Sequence, residues 1–190
     1  MRETDRAPEP PGRAARELRL SRRRLLLGTA GATLAALAFG CTRLLQPGSS
    51  DLPSAPDFTA ERYGGGTFQL SSLRGTPVFL NFWASWCAPC KAEMPGFEHL
   101  WQRYKDRKDH PVQFVGVNVN DLQMDYERFL RDEVHVSYTI VRTENLDVPK
   151  AYEVSGLPFS VFITRDGKIA KSWLGSLAED KLDAFLQEQL

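Results

Sequence analysis

The run Pro77-Val78-Phe79-Leu80-Asn81-Phe82-Trp83-Ala84 narrows the folds open to this chain more than any other feature. It is apolar at odd and even positions alike, with Asn81 the one polar residue. A strand with one wet face alternates, so this one is covered on both sides, as central strands of parallel sheets are. Ser85-Trp86-Cys87-Ala88-Pro89-Cys90 follows at once, and then Met94, Phe97, Leu100, Trp101 and Tyr104 recur at helical spacing. A buried strand therefore ends near one cysteine, and a helix begins that carries a second.

The flanking sequence extends this core into an α/β domain. "DFTAERYGGGTFQLSSLRG" reads as two short strands around a triple glycine, a β-hairpin with a loose turn. "VQFVGVNV" reads as a second buried strand, and Asp121 or Asp125 as the cap of a helix bearing Tyr126, Phe129 and Leu130. "SYTIVRT" is a third strand, and Asp147 and Pro149 start a helical turn through Tyr152. "FSVFITRDGKIAKSW" is a hairpin turning at Asp166-Gly167. Ser176 and Glu179 have capping-box spacing ahead of a helix burying Leu182, Phe185 and Leu186. The order βαβα, a further strand and turn, then ββα predicts a mixed central sheet flanked by helices on both faces.

The 190 residues carry a formal net charge of +0, which gives no hint of a nucleic-acid partner. That balance conceals an asymmetry. Residues 1 to 40 hold eight arginines and four acids, so the front is basic and the remainder mildly acidic. Arg22, Arg23 and Arg24 precede an apolar stretch from Leu25 to Gly40, the n-region and h-region order of an export signal. "SRRRLLL" resembles a twin-arginine signal, and "LAFGC" a lipobox that would make Cys41 a lipidated residue. An uncleaved signal anchor is the alternative. Residues 1–40 are expected to be export signal or anchor, 41–56 a Pro/Ser/Gly-rich linker, and 57–190 the folded domain, outside the cytoplasm and tethered to the bacterial cytoplasmic membrane.

Two thiols three residues apart at a helix N-terminus have a definite chemistry. Unpaired N–H groups and the helix dipole favour an anion there, and thiolate is the nucleophile. Cys90, one turn deeper, can attack a mixed disulfide on Cys87 and release the substrate. Zinc ordinarily takes four ligands, and His99, His110 and His135 lie scattered without ligand spacing, so no metal is expected. A structural staple across so small a loop gains little entropy. Ala88 and Pro89 between the thiols are uncharged, which favours a reducing couple over a strongly oxidising one.

"FLNFWASWCAPCKAEMP" and "VSGLPFSVFITRDGKI" resemble the thioredoxin-like proteins, most of all the membrane-tethered extracytoplasmic branch with TlpA, ResA and the cytochrome c maturation reductants. The likeness runs from about residue 56 to the end. It implies a thioredoxin-like fold with an N-terminal β-hairpin and a central strand-helix insertion, acting as a thiol–disulfide oxidoreductase. Cys87 would be the exposed attacking thiol and Cys90 the buried resolving thiol. Pro158 would be cis, with the backbone of Leu157 pairing with substrate, and Trp86 would flank the thiols. Pro95 matches a helix proline of the family. Asn81 stands where thioredoxin has a buried aspartate, and Glu93, one turn beyond Cys90, is expected to replace it as proton acceptor. The alternative for Glu93 is a solvated helix glutamate paired with a lysine. A peroxiredoxin would have threonine where this chain has Ala84.

The resemblance implies a monomer with no cofactor beyond the Cys87–Cys90 disulfide. Its partners would be disulfide-bearing exported proteins such as apocytochrome c and a membrane dithiol electron donor. An oxidase or isomerase role, or a noncatalytic redox-sensing module, remains the alternative.

Overall fold

The computed structural model describes residues 52–109 and 111–189. Seven strands form one mixed sheet: β1 (Thr59–Arg62), β2 (Thr67–Gln69), β3 (Val78–Trp83), β4 (Gln113–Asn118), β5 (Thr139–Arg142), β6 (Phe159–Ile163) and β7 (Ile169–Leu174). Their order is β2-β1-β5-β4-β3-β6-β7. The central β5, β4 and β3 run parallel, while β6 pairs antiparallel with β3. Among the described residues there are four α-helices, three between strands and one after the last: α1 (Ala88–Tyr104), α2 (Gln123–Asp132), α3 (Asp147–Ala151) and α4 (Glu179–Gln189). The insertion is real: α2 leads into β5, which then lies between β4 and the N-terminal hairpin.

Strand β3 sits near the middle with all six residues buried, as its double-sided apolar pattern demands. Phe79 and Trp83 point to one face, joining Met94, Phe97 and Leu100 of α1, Phe129 of α2 and Leu182 of α4. Leu80 and Phe82 point to the other, against Phe58, Phe68 and Tyr152. Helical segments flank both faces, but unequally. The long helices α1, α2 and α4 share the first face. The second is covered by the 3-10 turn Leu70–Leu73, the short α3 and the chain leading into β1. Gly116 of β4 admits the large side chains of the first face, since a Cβ there would stand 2.7 Å from Ile140 Cδ1 and 3.1 Å from Trp83 Nε1.

Local details depart from the sequence reading in three places. Ordered pairing begins ahead of Asp57: Ala55 donates to the Gly167 carbonyl and Ile169 to that of Pro53. Leu122, not Asp121 or Asp125, is the N-cap of α2, without a side-chain cap bond. The Ser176–Glu179 box does not form as expected, because α4 starts only at Glu179, whose carboxylate engages His99. In the β1–β2 hairpin, Gly64, Gly65 and Gly66 all have positive φ, a conformation that would strain other residues.

Among the described residues no helix is long and apolar enough to cross a membrane. The export segment with Cys41, most of the expected linker and His110 lie outside the described residues.

Candidate active site

Cys87 is the N-cap of α1, its backbone extended at φ −86° and ψ 98°. Its Sγ accepts from the Cys90 backbone N–H at 3.3 Å, so the sulfur stands where a capping oxygen usually does. Pro89 occupies the first turn, where a missing N–H costs nothing. Cys87 and Cys90 are joined by a disulfide with a Cα–Cα distance of 5.3 Å. Cys90 is fully buried and Cys87 is 5% exposed. Cys87, expected to be exposed, is nearly covered in this disulfide form.

The turn before Cys87 is held by the loop after β4. Asp121 accepts from the Ser85 backbone N–H, from Ser85 Oγ at 2.9 Å and from Asn118 Nδ2 at 3.0 Å. This explains why Asp121 does not cap α2. Trp86 is 61% exposed, and its Nε1 donates to the Asn120 carbonyl at 3.0 Å. The indole is therefore tethered at its polar end while its ring lies at the surface.

The Leu157–Pro158 peptide is cis, as expected. Phe82 of β3 pairs with Phe159 of β6, which sets Pro158 at the end of the sheet where the chain leaves β3 for the thiols. Pro158 is buried, and Leu157 packs on the same cluster that contains Cys87 and Cys90.

One turn beyond Cys90 on α1 is Glu93, 8% exposed. Its Oε1 accepts from Asn81 Nδ2 at 3.1 Å and its Oε2 from the Leu177 backbone N–H at 3.0 Å. Burial pushes its carboxyl up to about 7, against the opposing pull of those two donors. The nearby helix lysine, Lys91, pairs instead with Glu133 at 2.6 Å. Asn81 Nδ2 also reaches Ser160 Oγ at 3.2 Å. Ser160 escaped the sequence reading, although a signal was present. Asn81 and Ser160 are each the one polar residue in a wholly buried strand, and the register sets them opposite one another. Asn118 has no signal in the sequence, and Asp121 reads there only as a helix cap, because their partners are set by loop geometry rather than by period.

Among the described residues no three His, Cys, Asp or Glu side chains are grouped so as to hold a metal ion. His99 is engaged with Glu179, and His135 is exposed. The chemistry on offer is a dithiol at a helix N-terminus backed by a buried, near-neutral carboxyl.

That fold and that dithiol define a thioredoxin-like thiol–disulfide oxidoreductase. The family model described as AhpC/TSA matches residues 53–172, well over half the chain, and the chain belongs to this thioredoxin-like family. It is similar to thiol-disulfide oxidoreductase ResA of Oceanobacillus iheyensis, 34% identical over 139 residues, 71% of this chain and 70% of that one. ResA of Bacillus subtilis is 32% identical over 162 residues, 85% of this chain and 86% of the relative. Among solved structures, the pneumococcal exposed lipoprotein thioredoxin Etrx1 from Streptococcus pneumoniae superposes with a TM-score of 0.59 at 26% identity, over 70% of this chain and 99% of the other.

Proposed function

We propose that this oxidoreductase works outside the cytoplasm, tethered to the membrane, and reduces disulfides of exported proteins such as apocytochrome c through Cys87 and Cys90. The observation that carries the reading is Glu93, a buried carboxyl poised near neutrality one helical turn beyond Cys90.

The proposed exchange runs in two displacements. In the reduced protein the Cys87 thiolate, favoured at the N-terminus of α1, attacks one sulfur of the substrate disulfide. A mixed disulfide forms, and the first substrate thiolate leaves. Cys90 then gives its proton to the Glu93 carboxylate, and its thiolate attacks Cys87 Sγ. The Cys87–substrate bond breaks, the second substrate thiolate leaves, and the Cys87–Cys90 disulfide closes. The substrate has gained two electrons and the dithiol has lost two, which a membrane dithiol donor restores. Glu93 suits the proton transfer because a base close to the working pH can both take and return a proton. Trp86, with its exposed ring, and Leu157, beside the cis proline, form the wall against which an extended substrate segment lies.

A reducing direction is favoured by the uncharged Ala88 and Pro89 between the thiols, and by the need for reductants in an oxidising compartment. Tethering is favoured by the basic-then-apolar front with Cys41 at its end. The match to Bacillus subtilis ResA runs over 162 residues and so extends into that front. The likeness to an exposed lipoprotein thioredoxin points the same way.

Two measurements test the proposal. A titration of the Cys87–Cys90 couple against glutathione and dithiothreitol buffers gives a reducing potential; a value at the oxidising end makes the protein an oxidase or isomerase instead. Disulfide reduction measured against pH loses its near-neutral step in Glu93→Gln; an unchanged profile removes Glu93 from the mechanism.

A further inference from the structure

Glu93 is held asymmetrically, and the asymmetry has a chemical meaning. On Oε2 the donor is the backbone N–H of Leu177, which can donate but never accept. On Oε1 the donor is the Asn81 side-chain amide, which can do either if it turns over. Beyond that amide lies the hydroxyl of Ser160, which can also donate or accept. Both carboxyl oxygens are thus occupied by donors, which suits a carboxylate. A protonated Glu93 must keep Oε2 as the acceptor for Leu177, so its proton belongs on Oε1, facing the amide.

We propose that Asn81 is a positioning residue for Glu93 whose amide turns over with the carboxyl's protonation state. In the orientation seen here Nδ2 donates to Glu93 Oε1 at 3.1 Å and to Ser160 Oγ at 3.2 Å. Asn81 Oδ1 is buried and has no hydrogen-bond partner. Rotating the amide by half a turn brings Oδ1 to the place of Nδ2. There it accepts from the Glu93 hydroxyl and from the Ser160 hydroxyl together. The three side chains then bond through the acid as they bonded through the base, while Nδ2 takes over the partnerless position of Oδ1. No bond is made or broken in the flip itself; the proton is the one Cys90 delivers or takes back.

The neighbours leave this assignment to Asn81. From the segment ahead of β5, the buried Tyr138 phenol is held well above its usual range by burial and by the charges of Glu98 and Glu93, so it stays neutral. On α1 itself Lys91 is turned to Glu133, and Cys90 is the proton's partner. From β6 comes Ser160, and from the chain before α4 only the Leu177 backbone. An aspartate at position 81 would set two carboxyls against each other, and one would be forced to stay protonated. An amide avoids that conflict while serving both states.

The inference rests on Glu93 as the proton acceptor of Cys90, but its test does not use activity. In the oxidised, full-length protein, NMR follows the Glu93 carboxyl carbon and the Asn81 side-chain amide against pH. The Asn81 signals move with the same midpoint as Glu93, near 7. In Asn81→Leu the midpoint of Glu93 moves little, because the flipping amide had served the charged and the neutral carboxyl alike. Asn81 amide signals that stay flat across the Glu93 titration overturn the proposal, and they need no variant that folds. A Glu93 midpoint raised by about a unit or more in a folded Asn81→Leu overturns it as well, because the amide then served the charged form alone. If Glu93→Gln leaves the activity profile unchanged, the catalytic reading falls while this titration still decides the role of Asn81.

Discussion

On one face of the sheet Val78, Leu80, Phe82, Val115, Val117 and Val161 belong to a cluster built of apolar and aromatic side chains. On the other, the same strands bury Asn81 and Ser160 beside Glu93, within a layer otherwise made of Phe79, Trp83, Met94 and Phe97. Strand alternation puts both compositions one residue apart along β3. Burying polar groups is costly, and here the cost is only partly met, since Asn81 Oδ1, Asn118 Oδ1 and Trp83 Nε1 lack partners. One face is packed from apolar and aromatic side chains. The helix-covered face gives up some stability to hold a carboxyl among buried polar side chains.

The largest effect separates chemistry from packing. Cys90→Ser leaves a nucleophile with no resolving partner. Insulin reduction falls to background, and mass spectrometry detects substrate trapped on Cys87 as a mixed disulfide. Release of substrate at the normal rate by this variant would break the two-thiol scheme.

Next comes the face without polar groups. Leu80 is fully buried there, and Leu80→Ala costs about 2–5 kcal/mol in denaturant unfolding. The pH midpoint of disulfide reduction stays where it was. A shifted midpoint would mean that the two faces are coupled through β3.

The buried Glu93 carboxyl makes stability depend on pH. The folded pKa of Glu93, about 7, lies above its ordinary value of 4.5. The folded state therefore holds this proton more tightly than the unfolded chain. The associated stability is full below pH 4.5 and is lost as pH rises through 7. Relative to Glu93→Gln, the parent loses up to about 3 kcal/mol across that window, at about 1.4 kcal/mol per unit. Parallel stability curves for the two proteins would show that the carboxyl is not held in its acid form.

The smallest effect belongs to the surface. Lys91 and Glu133 are both substantially exposed, and Lys91→Ala changes stability by less than about 1 kcal/mol. A larger loss would place the contact of Lys91 with the Phe129 ring, 4.8 Å away, ahead of the ion pair.

Much of this arrangement can be read in the sequence, for identifiable reasons. The doubly apolar β3, the helical spacing from Met94 to Tyr104 and the two hairpins follow from period and turn chemistry, which act locally. The dithiol and the cis Pro158 are legible because their short motifs have few other uses. Asp121, Ser176 and Glu179 were misread for the opposite reason. Each sits where local capping rules apply, yet Asp121 and Glu179 are claimed by partners distant in sequence, Ser85 and His99, and Ser176 lies ahead of a helix that starts only at Glu179. Likewise, the pairing of Asn81 with Ser160 depends on register across 79 residues, which no local pattern states.

The clamp on the turn before Cys87 carries a last consequence. Asp121 and Asn120, which hold Ser85 and Trp86, belong to the loop that opens the β4-to-β5 insertion, not to the strand-helix unit bearing the thiols. Reactivity and the rim around it are thus written in separate stretches of chain. Exchange of the insertion between relatives would alter which proteins are greeted at the site without rewriting the chemistry performed there.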